Sequence, residues 1–165
     1  MQGIGNSKFT LEDFYNILFL DEKLKISEQV LTKVDDNYKF LKHYAKDKII
    51  YGVNTGFGPM AQYRVEEENI AQLQYNLIRS HATGCGAQLP HIYTKASMFA
   101  RLTSLVQAYS GVHVEVVELL RDFINKDISP FIPEHGSVGA SGDLVQLAHL
   151  ALNLIGEGEI FYKGE

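Results

Sequence analysis

The chain has 165 residues, 45% of them hydrophobic, 11% aromatic and 21% charged, a profile that excludes a disordered or fibrous segment and fits one soluble globular unit. Lys and Arg total 15 against 20 Asp and Glu, a net charge of −5. Nothing here supplies the basic stripe that nucleic acid or an anionic membrane surface requires, and a small neutral or zwitterionic partner fits better.

In chain order, Thr10 is placed to cap a short helix reaching about Leu20. Ser27 caps a second to about Ala45, with Val30, Val34, Tyr38, Leu41 and Tyr44 at helical spacing. Ile49-Ile50-Tyr51 is a short β-prone run that enters the glycine-dense loop Gly52 to Pro59. Glu66, Glu67 and Glu68 suit the positive end of a third helix, whose apolar stripe Ile70, Leu73 and Leu77 predicts that His81 ends a buried face. Gly84-Cys85-Gly86 reads as another loop. It leads through Pro90 into a long helix with Met98, Leu102, Leu105, Val106 and Tyr109 on one side, ended by Ser110-Gly111.

Val114 to about Asn125 is a further amphipathic helix, stopped at Ser129-Pro130 and Ile132-Pro133. After His135 to Gly142, Asp143 is expected to cap a helix from Leu144 to Ile155 with Gly156 as its stop. That helix is apolar nearly all round, as for one enclosed on every side, and the other helices are too few to enclose it. The chain is therefore expected to pack into an oligomer or to form part of something larger.

The apolar stretch Leu144 to Ile155 is too short for a bilayer, which needs ~20 residues, and no basic leader precedes Ile17 to Leu20. One cysteine, Cys85, can form neither an internal disulfide nor a cysteine metal cluster, and points to a reducing, cytosolic setting. No repeat, low-complexity tract or linker divides the chain, so residues 1–165 read as a single unit.

Glycine-rich loops invite phosphate. Gly52, Gly56 and Gly58 are in the wrong order for a dinucleotide fingerprint, and neither loop has the Gly-Lys-Ser/Thr of a P-loop. A serine nucleophile elbow fails because Asp143, not glycine, stands two residues after Ser141. Gly139-Ala140-Ser141-Gly142-Asp143 does permit backbone chemistry. The Gly142 nitrogen, unhindered by a Cβ, can close a five-membered ring on the Ala140 carbonyl, and Ser141 can lose its hydroxyl as water to leave an exocyclic double bond. A plain serine-glycine turn before a helix is the bland alternative.

Gly136-Ser137-Val138-Gly139-Ala140-Ser141-Gly142-Asp143-Leu144, with Tyr51-Gly52-Val53-Asn54-Thr55-Gly56-Phe57-Gly58 upstream, resembles the aromatic amino acid ammonia-lyases. Ser80-His81, Tyr109-Ser110-Gly111 and Gly156-Glu157-Gly158-Glu159 extend the resemblance from Ile50 to the end. It implies a mainly α fold and a methylidene-imidazolone group made autocatalytically from Ala140, Ser141 and Gly142, with no metal or nucleotide. It also implies Tyr51 as catalytic base, His81 against the substrate's ring, and Gly58, Ser80 and Asp143 in supporting roles.

A free tyrosine, with a pKa of ~10, is a poor base at neutral pH, so the fold must help its proton leave. The helix that starts near Leu144 would turn its positive end toward the ring. Ser80-His81 looks most like the histidine type, which gives urocanate from L-histidine. Tyrosine elimination to coumarate, phenylalanine lyase or an aminomutase remain alternatives, and so, in another class, does a catalytically incomplete interaction fragment. The family's homotetramers of several hundred residues per chain imply that this chain is an N-terminal portion, inactive alone.

Overall fold

The computed structural model describes residues 2–4, 9–137, 142 and 144–163; Ala140, Ser141 and Asp143 lie outside the described residues. Helix α1 (Leu11–Phe19) begins with a reciprocal cap, in which Thr10 Oγ1 accepts the Asp13 N–H at 3.3 Å and the Asp13 carboxylate accepts the Thr10 N–H at 2.7 Å. Helix α2 (Glu28–Tyr44) starts at Ser27, whose hydroxyl accepts from the Val30 N–H. Between them β2 (Leu24–Ile26) pairs in parallel with β1 (Gln2–Ile4).

The chain continues through α3 (Glu67–His81), β3 (Cys85–Gln88), α4 (His91–Leu105), α5 (Val114–Lys126), β4 (Ile128–Pro130), β5 (Pro133–His135), α6 (Val145–Leu154) and β6 (Ile160–Tyr162). The fold is mainly helical, as expected. Two antiparallel pairs, β3–β5 and β4–β6, tie its loops together.

The core is built on α4, whose Met98, Phe99 and Leu102 are fully buried against Ile17 of α1 and Val117 and Leu120 of α5. Phe9 and Phe14 close on the Phe99 ring at 5.1 and 4.4 Å between centroids. Lys95, on the same helix, is buried and ion-paired to Asp127 at 3.2 Å. Asp127 caps α5 in the left-handed conformation and also accepts from His91 Nε2 at 2.9 Å. Burial raises the Asp127 carboxyl, but the hydrogen bonds from His91 and Lys95 outweigh it and hold the group below the ordinary carboxylate range.

Several expectations are corrected. Ile49-Ile50-Tyr51 forms no strand, because buried Asn54 folds it into a turn: Oδ1 accepts the Ile50 N–H at 2.8 Å, and Nδ2 donates to the carbonyls of Ala45 and Lys48. Gly84-Cys85-Gly86 is no loop, since Cys85 opens β3 and faces His135 of β5. The prolines after α5 stop the helix yet sit in short strands, Pro133 at the first residue of β5, where a missing N–H is tolerated.

Helix α4 stops at Leu105, so Tyr109 leaves the buried side and is 88% exposed. The stripe of α3 is only half-buried, and His81 with it. Helix α6 has Leu144 at its N-cap position, the Asp143 expected to cap it lies outside the described residues, and the helix is enclosed on one side only: Val145, Ala148 and Leu150 are buried while Leu144 and Leu147 face outward. Among the described residues no helix is long and apolar enough to cross a membrane.

Candidate active site

Helix α3 is the scaffold. At its middle, Gln74 Nε2 donates to the Gly52 carbonyl at 3.0 Å and fixes the loop that carries Tyr51. At its end stands His81, seven residues and about 10 Å further along the axis. Tyr51 is 64% exposed, its ring edge-on to Phe57 at 6.0 Å, and its Oη accepts the Gly58 N–H at 3.4 Å.

His81 Nδ1 lies 2.8 Å from the Leu77 carbonyl and 3.2 Å from Ser80 Oγ, and the Ser80 hydroxyl donates to the same carbonyl at 3.1 Å. Because a carbonyl only accepts, Nδ1 carries a proton and donates it to the Leu77 oxygen. Ser80 and His81 are thus oriented together by one backbone oxygen. No hydrogen bond among the described residues joins Tyr51 to His81 or to Gly142; the Tyr51 loop and His81 meet only through α3.

Gly142 is exposed, has φ +109°, and has open space where a Cβ would stand, so backbone conformation and not crowding is what calls for glycine. Among the described residues no group of three or more His, Cys, Asp or Glu is placed to hold a metal.

Helix α6 lies along α3. Arg79 holds Glu157, just beyond α6, with Nε to Oε2 at 3.0 Å, and this hydrogen bond keeps the Glu157 carboxyl below its ordinary value. His149 of α6 accepts the Gly84 N–H through Nε2 at 3.2 Å. Neither Gln74 nor His149 is singled out by a motif. The available signals were a glutamine on the His81 side of α3, seven residues back, and a histidine interrupting an apolar helix.

A model of the aromatic amino acid lyase family matches residues 9–165. The chain belongs to the aromatic amino acid lyase family. It is 42% identical over its whole length to histidine ammonia-lyase of Bacillus subtilis (strain 168), covering 33% of that protein. It is 43% identical, over 98% of its length and 33% of the relative's, to the probable histidine ammonia-lyase of Thermoplasma volcanium. The phenylalanine aminomutase of Pantoea agglomerans superposes on all of it with a TM-score of 0.92 at 30% identity, over 32% of that chain. The chain thus spans about a third of the length of the curated relatives it matches. Lyases of this family work with a methylidene-imidazolone group.

Burial lowers the pKa of His149 from the ordinary value of 6.5. The folded state therefore prefers the neutral ring and the unfolded chain binds the proton first, so the contribution to stability is complete above about pH 6.5 and is lost as pH falls through the lower folded value. Urea unfolding of the lyase between pH 8 and 5 is expected to show this decline, and His149→Gln to flatten it; an identical pH profile in the variant would contradict the assignment.

Proposed function

We propose that residues 1–165 are the N-terminal unit of a histidine-type ammonia-lyase, which eliminates ammonia from L-histidine to give urocanate. The observation that carries this reading is that α3 both contacts the Tyr51 loop through Gln74 and presents His81 at its end, so one helix links the base and the ring contact. The names of the most similar relatives support the histidine type.

The prosthetic group is assigned to Ala140, Ser141 and Gly142. A bond forms between the Gly142 nitrogen and the Ala140 carbonyl carbon, whose oxygen leaves as water with the amide hydrogens of Gly142 and Ser141 to leave a C=N bond to the Ser141 nitrogen, and Ser141 loses its hydroxyl with its α-hydrogen as a second water. The group supplies an electrophilic carbon that makes the substrate's amine a good leaving group. Tyr51 takes the β-proton, with the Gly58 N–H on its oxygen. His81, oriented by Leu77 and Ser80, directs Nε2 to an N–H or O–H on the substrate's ring. Asp143 is assigned a supporting role at the approach to α6.

Leu11, Tyr15 and Phe19 on the outer face of α1, and Leu147 on α6, are exposed apolar side chains that support assembly with more polypeptide, here proposed as a homotetramer. Exposed, unpaired Cys85 supports a cytoplasmic setting.

The test is an assay of the full-length protein on histidine, tyrosine and phenylalanine, before and after His81→Phe. Histidine should be preferred by kcat/KM. The variant should shift the ratio of histidine to phenylalanine toward phenylalanine by roughly five- to a hundredfold, since a buried polar group left unpaired costs ~1–3 kcal/mol. A wild-type preference for tyrosine would move the assignment to coumarate formation. An unchanged ratio in the variant would remove His81 from the substrate site.

A further inference from the structure

His135 and His149 bracket in sequence the segment that contains Ala140, Ser141 and Gly142, and both are tied to one place. On the outgoing side, His135 of β5 is the strand partner of Cys85. On the returning side, His149 of α6 accepts the N–H of Gly84 at 3.2 Å. Gly84 and Cys85 are neighbours, so a single dipeptide grips both stems of the segment that contains Ala140, Ser141 and Gly142.

Gly84 suits that place because a Cβ there would come within 3.0 Å of Pro133 Cγ and 3.1 Å of the His135 carbonyl oxygen. Glycine is what lets the upstream stem lie so close. The grip also sits just beyond α3, where the Thr83 N–H bonds the His81 carbonyl at 2.9 Å, so the loop stems and the ring-contact residue share one anchor. The Arg79–Glu157 pair holds the far end of α6.

We infer that His149 is a positioning residue for ring closure: by accepting the Gly84 N–H it sets the start of α6 against β5 and confines the segment between them. This inference rests on the assignment of the prosthetic group to Ala140, Ser141 and Gly142. Closure joins the Gly142 nitrogen to the Ala140 carbonyl carbon and expels two waters, one from that carbonyl and one from Ser141. A backbone nitrogen and a carbonyl two residues apart meet rarely in an unconfined chain, and fixing both stems removes part of that entropic barrier.

The experiment is cell-free synthesis of the full-length protein, sampled over time by intact mass, for wild type, His149→Gln, His149→Asn and His149→Leu. Gln can place Oε1 near the position of Nε2 and should lose two waters at close to the wild-type rate. Asn, equally polar but one bond short, and Leu, which has no acceptor, should be slower by roughly three- to tenfold, the factor for one neutral hydrogen bond acting on a barrier. A merely structural histidine would not separate Gln from Asn at equal thermal midpoint, and that pair decides the matter if Leu fails to fold. Wild-type dehydration rates in both Asn and Leu would overturn the role of His149 while leaving the proposed function standing. A wild-type protein that never loses two waters would overturn the proposed function, and this inference with it.

Discussion

Ser141→Ala in the full-length protein is expected to lower elimination activity by about three orders of magnitude or more, because it removes the hydroxyl whose loss creates the electrophile. Without that electrophile the substrate's amine is a poor leaving group, and neither Tyr51 nor His81 can compensate. Intact mass reports the cause directly: the wild type should be two waters lighter than its sequence, and the variant at most one. Cys85→Ser should match the wild type in mass and rate, since the exposed Cys85 thiol takes no part in the ring. Full activity in Ser141→Ala would refute the electrophile.

Tyr51→Phe should leave the two-water loss intact while lowering kcat by roughly a hundred- to ten-thousandfold, the usual range for removing a positioned general base. The split between maturation and turnover is diagnostic. Tyr51 is exposed and its hydroxyl bonds only within its own loop, so the substitution leaves no buried polar group unpaired and its effect on stability should be small. A variant with full turnover would assign the base elsewhere; one that fails to lose two waters would make Tyr51 part of maturation.

Much of the fold was legible in the chain itself. Thr10 and Ser27 cap the helices they were expected to cap, because capping is decided within three or four residues. The apolar periods of α4 and α5 identified the core residues Met98, Leu102 and Leu105 and the limits of α5. The errors lie where a contact or turn outside the period of helix or strand decides. Asn54 reaches back to the carbonyls of Ala45 and Lys48 and turns Ile49-Ile50-Tyr51 away from a strand, whereas Pro133 to His135 makes a strand of Cys85 to Gln88. Tyr109 keeps the helical period but lies beyond a helix that has already ended, at a chain reversal where Ala108 takes φ +60°.

The candidate site divides in the same way. The order Tyr51…Gly58, Ser80-His81 and Ala140-Ser141-Gly142 is a property of the sequence, and with it come the family and the chemistry its residue types allow, since a motif is a local pattern of small and reactive side chains. Which atoms orient those groups was decided only by tertiary structure. Gln74 of α3 meets Gly52 across 22 positions, and His149 meets Gly84 across 65 where α6 packs beside α3. The Nδ1 proton of His81 is the exception, set within α3 itself by the Leu77 carbonyl one turn back. Local interactions of that kind are encoded residue by residue, whereas the long-range ones depend on where separate elements come to rest once their shared apolar faces have left water.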